Sequence, residues 1–151
     1  MQPQKIRTFL WYDDQAEEAA ALYVSLFPNS RIHNVVPGPG GKTFVVDFEL
    51  AGVQFIALNG GPHFQFSEAI SLSVDCENQA EIDLLWEKLT DGGEPGRCGW
   101  LKDRFGLSWQ IVPTQLRSLL FDPANGGRVM QVMLEMSKLD LARLQAAADG
   151  T

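Results

Sequence analysis

The chain has 151 residues, a mass of 16.7 kDa and 45% hydrophobic residues, which is enough for one domain that folds without a metal or disulfide. Twelve Lys and Arg against nineteen Asp and Glu leave a net charge of −7, which argues against nucleic acid as a partner because phosphate binding needs a basic surface. No apolar run approaches the roughly 20 residues of a membrane span, and the amino terminus lacks the pattern of a secretion signal. We therefore expect a cytoplasmic domain without membrane contact, in which Cys76 and Cys98 are free thiols.

The first predicted element is a strand over Lys5–Tyr12, where β-branched and aromatic residues dominate. Asp14 follows, with Glu17 three residues later, and this spacing predicts a capping box at the start of a helix. The apolar stripe of that helix, at positions i, i+3, i+4 and i+7, is Ala19, Leu22, Tyr23 and Leu26.

Three strands are predicted after this helix. A short one spans 31–36, and the glycine- and proline-rich turn 37–41 separates it from 42–50, in which apolar and polar residues alternate. A tight turn at Ala51-Gly52 then predicts a hairpin with a strand over 53–59. The element order of this part of the chain is therefore β-α-β-β-β.

The same order then begins again, which indicates an internal repeat. Asn78 precedes the triplet Gln79-Ala80-Glu81 just as Asp14 precedes Gln-Ala-Glu, and both features are offset by 64 residues (78 − 14). The apolar stripe of the second helix is offset by 63 residues (82 − 19), so the two registers disagree by one. Alternating residues predict a strand over 70–75 before the helix, and two strands over 98–103 and 108–113 after it.

The end of the chain departs from the repeat. A short helix is predicted over 114–121, a break over 122–127 and a last helix from about Arg128. Two alternatives stay open for the last helix: it packs on its own sheet, or its methionine-rich face forms a contact between two subunits. The predicted stripe contains Val129, Val132, Met133, Met136, Leu139 and Leu144.

Several strings resemble one known family. The paired β-α-β-β-β modules are similar to the vicinal oxygen chelate superfamily, which includes glyoxalase I, bleomycin-resistance proteins and extradiol dioxygenases. The strings FLWYDDQAEEA, FPNSRI, LNGGP, FSEAIS, CGWLKDRFGLSWQIVP and RVMQVMLEMSKLDLARL resemble its PhnB-like branch, also catalogued as 3-demethylubiquinone-9 3-methyltransferase-like. The resemblance runs from about Lys5 to Ala147.

The resemblance implies an α+β fold of two βαβββ modules with carboxy-terminal helices. Residues 1–151 form one PhnB-like domain, in which module 1 covers about 5–62, module 2 about 68–113 and the helical extension about 114–149. It also implies a homodimer, and a cleft that holds a small molecule.

Metal enzymes of the superfamily place one ligand on each of four strands that face the cleft. The corresponding strands of this chain carry neither histidine nor a carboxylate at those positions, whereas divalent metals bind best to imidazole, thiolate or carboxylate donors. The two histidines, His33 and His63, lie beside turns and outside these positions. We therefore expect no catalytic metal and no other cofactor. The four positions are Thr8, Ala57 or Asn59, Ser71 and Gln110.

The remaining candidates for chemistry have competing interpretations. Cys98 is the best candidate for a nucleophile because Arg97 and Lys102 favour its thiolate, but no histidine is near in sequence, and a buried inert thiol is the alternative. Residues 102–104, Lys-Asp-Arg, either recognise an anionic group or form a surface ion pair. Residues 38–41, Gly-Pro-Gly-Gly, lie between two strands and predict a hairpin loop rather than the adenosylmethionine site of a methyltransferase.

The sequence therefore predicts a protein that binds a small molecule without the usual catalytic metal. The alternative is an enzyme of the same superfamily that uses an unconventional metal site or Cys98, and a third possibility is an interaction module. The residues expected to line the ligand-binding cleft are Thr8, Asn59, Ser71, Trp100 and Gln110.

Overall fold

Two units of the same topology make up the structure, a computed structural model that describes residues 4–151. The first unit ends at Phe66 and the second begins at Ser67. Each unit has a four-stranded mixed sheet and a helix between its first and second strands, which confirms the predicted α+β fold of two βαβββ modules. No helix within residues 4–151 has the length and apolar character that crossing a bilayer requires.

The strands of the first unit lie in the order β1-β4-β3-β2, with β1 parallel to β4 and the other pairs antiparallel. A 3₁₀ turn over Pro39–Gly41 connects two of the antiparallel strands, as the hairpin-loop prediction requires. The elements are β1 (Thr8–Tyr12), α1 (Ala16–Leu26), β2 (Arg31–Pro37), β3 (Thr43–Leu50) and β4 (Val53–Asn59).

The β3–β4 hairpin confirms the predicted turn at Ala51-Gly52. Both residues have positive φ, 49° for Ala51 and 86° for Gly52. Two consecutive left-handed residues are the backbone of a type I′ turn, whose twist matches that of the strands on either side. The strand ends at Leu50 and Val53 therefore pair directly.

Helix α1 packs on one face of this sheet. The hydroxyl groups of Tyr12 on β1 and Tyr23 on α1 lie 3.0 Å apart in a hydrogen bond, and the rings of Tyr23 and Phe48 are in contact at 6.3 Å. Alternate residues of each strand therefore form the core beneath the helix. Buried residues on this face include Leu10, Tyr12, Val46, Phe48, Phe55 and Ala57.

The start of α1 differs from the prediction. The N-cap is Gln15, not Asp14, and no side chain of the cap accepts a hydrogen bond. Asn59 of β4 takes that role, since its Oδ1 accepts a hydrogen bond of 2.8 Å from the Ala16 amide. The predicted capping box of Asp14 is wrong because an amide side chain from another strand satisfies the helix end instead.

The second unit repeats this sheet in the order β5-β8-β7-β6, with β5 parallel to β8. Here the predicted cap is confirmed, because Asn78 Oδ1 accepts from the Glu81 amide at 2.9 Å. The helices start 63 residues apart (79 − 16), so the apolar stripes and not the Gln-Ala-Glu triplets give the true register of the repeat. The elements are β5 (Leu72–Cys76), α2 (Gln79–Thr90), β6 (Glu94–Pro95), β7 (Trp100–Lys102) and β8 (Ser108–Pro113).

Asp103 holds the turn between β7 and β8. Its carboxylate is only 2% exposed and accepts three hydrogen bonds, from the amides of Phe105 and Leu107 and from Nε1 of Trp109, all between 2.9 and 3.1 Å. These donors satisfy a buried charge and tie the turn to the core side of β8. The turn therefore sets the pairing of Lys102 with Ser108.

The carboxy-terminal residues form three helices, where the sequence predicted two. The predicted last helix is broken after Leu134, and a new helix begins at Leu141 with Asp140 as its cap, because Asp140 Oδ1 accepts from the Arg143 amide. The helices are α3 (Leu116–Leu120), α4 (Gly126–Leu134) and α5 (Leu141–Asp149). Their shared core contains Val112, Val129, Met136, Leu139, Leu144, Ala147 and Ala148.

The connection between α4 and α5, residues 135–140, crosses the turn before β7. The amides of Cys98 and Gly99 donate to the carbonyls of Met136 and Ser137, at 2.9 and 2.8 Å. A Cβ on Gly99 would lie 2.9 Å from the Ile111 carbonyl oxygen and 3.1 Å from Leu139, and the φ of Gly99 is +86°, so only glycine fits there. We call residues 135–140 the strap.

Leu139→Ala is expected to lower the free energy of unfolding by about 2–5 kcal/mol, because it leaves a cavity at a fully buried position of the strap. Urea denaturation followed by circular dichroism measures this change. The matched control is Leu134→Ala, whose side chain is 52% exposed, and which should change stability by less than about 0.5 kcal/mol. Equal effects of the two substitutions would contradict the packing described here.

Candidate ligand-binding site

The second sheet has one face turned toward α2 and one face that carries polar side chains. Cys76 lies on the α2 side, where Glu81 of α2 is its hydrogen-bonding neighbour, and the buried Trp109 and Ile111 share that side. Side chains alternate along a strand, so the residues between them point to the opposite face. We call this opposite face the polar face, and it carries Ser73, Asp75, Trp100, Lys102, Ser108 and Gln110.

Three of the five residues predicted to line the cleft meet on the polar face. Gln110 pairs with Ser73 on β5 and with Trp100 on β7, so it lies in the middle of the sheet. Its Nε2 donates a hydrogen bond of 3.1 Å to Ser71 Oγ. This hydrogen bond orients the Gln110 amide, whose carbonyl oxygen is an acceptor beside the Trp100 ring.

A cleft of about 530 Å³ opens beside Gln110. Asp75 and Arg117 bring a carboxylate and a guanidinium to its walls, and Arg117 comes from α3 in the helical extension. Its size falls within the range of ordinary small-molecule sites. The lining residues are Ser73, Asp75, Gln110, Val112, Pro113, Thr114, Leu116 and Arg117.

The side chains of Lys102, Asp103 and Arg104 do not form one anion site. Lys102 forms an ion pair with Glu68, Asp103 is buried in the turn, and the Arg104 guanidinium lies 5.0 Å from the Phe105 ring centroid. The hydrogen bond with Lys102 lowers the pKa of Glu68, and the same bond raises the pKa of Lys102. Both groups are exposed, so this ion pair contributes little to stability.

Thr8 and Asn59 lie in the first unit, on the side of the sheet that faces α1. Thr8 shares this side with Leu10 and Tyr12, and Asn59 bridges two elements. Its Oδ1 caps α1, and its Nδ2 donates to the Thr43 carbonyl oxygen at 3.0 Å. The Asn59 amide is therefore occupied by the fold.

Asn59 also lines a second cleft, of about 750 Å³, within the first unit. Asp13, Asp14 and Glu17 place three carboxylates along this cleft, and Lys42 is the one cation of its lining. Glu17 Oε1 accepts a hydrogen bond of 3.0 Å from Thr43 Oγ1. The cleft is thus acidic and lies at the start of α1.

The two cysteines are both free, and they differ in environment. Burial raises the pKa of the Cys76 thiol to about 12, and the nearby Glu81 and Asp75 carboxylates add to the shift. Cys98 is partly exposed on the turn before β7, with a left-handed φ of 59°. No hydrogen bond reaches its sulfur from any residue between 4 and 151, so the geometry supplies no base for a nucleophilic Cys98.

His33 lies inside a strand, although the sequence placed it beside a turn. It is the third residue of β2, and its Nε2 lies 2.9 Å from Glu49 Oε1 on β3. Asp47, on the same face, accepts a hydrogen bond of 3.4 Å from Asn34 Nδ2 and lies 3.9 Å from Arg7. His63 lies in the loop after β4 and is exposed.

The predicted metal positions do not fit a divalent ion. Ser71 and Gln110 offer a hydroxyl and an amide, which are weak donors compared with imidazole and carboxylate, and Thr8 and Asn59 lie under α1. Within residues 4–151, no group of three or more His, Cys, Asp or Glu side chains is arranged as a metal site. We derive no step through a metal.

Residues 4–112 match the family model of 3-demethylubiquinone-9 3-methyltransferase. The chain belongs to this family. The PhnB protein of Bacillus cereus is 34% identical to it, with a TM-score of 0.68, over 72% of this chain and 99% of that protein. No curated protein matches the sequence.

More distant solved structures share the fold. Protein PA1353 from Pseudomonas aeruginosa is 18% identical with a TM-score of 0.62, over 74% of this chain and 98% of that one. The fosfomycin resistance protein FosX from Listeria monocytogenes, solved with Mn(II) and sulfate, is 16% identical with a TM-score of 0.54, over 74% and 92%. These likenesses place the chain among the vicinal oxygen chelate proteins.

The family model ends at residue 112, before α3 begins. The sequence resemblance was expected to run on to Ala147, so the matched region is shorter than predicted. The three helices after β8 therefore lie outside the matched family region. They supply Arg117 to the cleft beside Gln110, and the strap to the turn before β7.

We expect a thiol reagent at pH 8 to modify Cys98 rapidly and Cys76 only after unfolding. Cys76 is fully buried, and its raised pKa keeps it protonated, whereas the reactive form is the thiolate. Absorbance of the released thiolate from an aromatic disulfide measures both rates. Cys98→Ser should remove the fast phase and Cys76→Ser should leave it unchanged, and rapid labelling of the Cys98→Ser variant would contradict this assignment.

Proposed function

We propose that this family member binds a small molecule on the polar face of its second sheet, without a metal. The observation that supports the proposal is the convergence of Ser71, Trp100 and Gln110 beside the cleft of about 530 Å³. An aromatic surface with few, oriented polar groups is the usual composition of such a site. No residue in this arrangement has the donors that would favour a metal-dependent reaction.

The polar groups indicate the kind of ligand. The Gln110 amide can accept and donate, Arg117 and Asp75 offer one charge of each sign, and Trp100 offers a flat apolar surface. A compact ligand that has oxygen atoms and a planar or apolar part complements these groups. Methyl transfer is not part of the proposal, because the 3₁₀ turn over Pro39–Gly41 joins two strands and opens no helix that could hold adenosylmethionine.

The test begins with protein that has been treated with a chelator and dialysed. A panel of small oxygen-bearing compounds is titrated while tryptophan fluorescence is recorded, and we expect saturable binding of at least one compound. Gln110→Ala should weaken that binding about tenfold or more, because an oriented hydrogen bond is lost without a replacement. The matched control is Gln131→Ala on the exposed side of α4, which should bind as the wild type does.

Elemental analysis of the protein before chelation gives the second readout. We expect substoichiometric amounts of divalent metal. Stoichiometric metal that survives purification, and binding that disappears when it is removed, would contradict a metal-free site. Equal binding by the Gln110→Ala and Gln131→Ala variants would move the site away from the polar face.

We also propose that the protein is a homodimer that acts in the cytoplasm, with α4 in the subunit contact. Met130 and Leu134 lie four residues apart on α4 and are 42% and 52% exposed, so they form an apolar strip on one side of the helix. Met136, which the sequence grouped with them, is buried in the core of the extension and is not available.

Light scattering coupled to size-exclusion chromatography is expected to give the mass of a dimer, about twice 16.7 kDa. Replacing Met130 and Leu134 together by lysine should shift the protein toward the monomer, since charges would have to be buried at the contact. Gln131→Lys, on the same helix, tests the effect of charge alone. A monomeric wild type, or a dimer that the double substitution leaves intact, would contradict this contact.

A further inference from the structure

The hydroxyl of Ser108 is a buried polar group without a partner. Ser108 is 1% exposed, and its Oγ forms no hydrogen bond with any residue in the described part of the chain. A buried hydroxyl is normally hydrogen-bonded, and leaving one unpaired destabilises the folded state. Ser71, on the same face, shows the ordinary case because it accepts from Gln110.

Ser108 lies at a small cavity of about 120 Å³ that is separate from the cleft beside Gln110. Ser108 pairs with Lys102 on β7, and Lys102 pairs with Glu94 on β6, so these three side chains lie next to one another on the polar face. Trp100 and Glu68 complete the part of the lining that matters here. At roughly 30 Å³ per water molecule, the cavity has room for a group of a few heavy atoms.

The charges around the cavity do not balance. Glu68 and Glu94 bring two carboxylates and Lys102 brings one ammonium group. Lys102 is paired with Glu68, while Glu94 forms no ion pair within residues 4–151. One negative charge therefore remains beside the unpartnered hydroxyl, and an indole ring lies at the same wall.

We propose that this cavity binds the primary ammonium group of a small organic amine. Ser108 Oγ accepts one of its N–H groups, Glu94 balances its charge, and the Trp100 ring offers a face to the cation. A carboxylate ligand would meet Glu94 and would have to displace Glu68 from Lys102. The two linings share no residue, so this site can exist whether or not the cleft beside Gln110 binds a ligand.

The experiment uses the full chain, labelled with ¹⁵N, and three probes of similar size: ethylammonium chloride, sodium acetate and ethanol. Sodium chloride is added to equalise the ionic strength. We expect saturable shifts of the Ser108 amide and the Trp100 indole N–H signals with ethylammonium, and no saturable shifts with the other two. Saturation by acetate would indicate an anion site, and equal shifts with ethanol would show that charge is not recognised; each would overturn the proposal.

Two substitutions test the groups that carry the proposal. Ser108→Ala and Glu94→Gln should each weaken ethylammonium binding about tenfold, the effect of losing a hydrogen bond or charge contact to a cation. Ser118→Ala and Glu87→Gln are the matched controls at exposed positions, and they should leave the affinity unchanged. Unchanged affinity in the Ser108→Ala variant would overturn the proposal.

Thermal unfolding of the free protein supplies an independent readout. Ser108→Ala removes an unpartnered hydroxyl, so its melting temperature should equal or exceed that of the wild type. This result also shows that the variant folds, and that its loss of binding is local. A lower melting temperature would mean that Ser108 Oγ has a protein partner, which would remove the basis of the site.

Discussion

The parallel pairing of the first and last strands of each unit is the constraint on which the rest of the structure depends. β1 lies beside β4 and β5 lies beside β8, and parallel neighbours must be joined by a crossover connection rather than a tight turn. The crossover contains a helix, which covers one face of each sheet. The core therefore takes one face, and the other face is left for polar side chains and for binding.

Strand register decides which residues serve which face. On β8, Trp109 and Ile111 point to α2, whereas Ser108 and Gln110 point to the polar face. A shift by one residue would exchange the two sets, so the turn before β8 must be held firmly. Asp103 does this with three hydrogen bonds from a nearly buried carboxylate. A charged residue that resembled part of an anion site is thus a structural element of the site.

The helical extension contributes to the site from outside the matched family region. Its strap holds the backbone of Cys98 and Gly99, directly before Trp100, and α3 brings Arg117 to the cleft beside Gln110. Both contributions act on the second unit alone. This arrangement gives the chain a site that differs in composition from one built by the two modules without the extension, and it places the distinctive chemistry at one edge of the second sheet.

Much of this architecture follows from local sequence patterns. Alternation determined the strand Ser108–Pro113 and the side of each of its residues, and the Asn78 cap and the Ala51-Gly52 turn involve only near neighbours. The same period-two pattern groups Ser108 with Gln110, so Ser108 was within reach of the sequence.

Interactions between residues distant in the chain were decided only by the tertiary structure. Asn59 caps α1 across 43 residues, which no local pattern indicates, and this contact displaced the predicted role of Asp14. The last helix is broken because the strap bonds to the turn of Cys98 and Gly99, and Arg117 reaches the cleft through the packing of α3. Sequence patterns determine which faces of an element are apolar; which remote partner a polar group meets depends on how those faces pack.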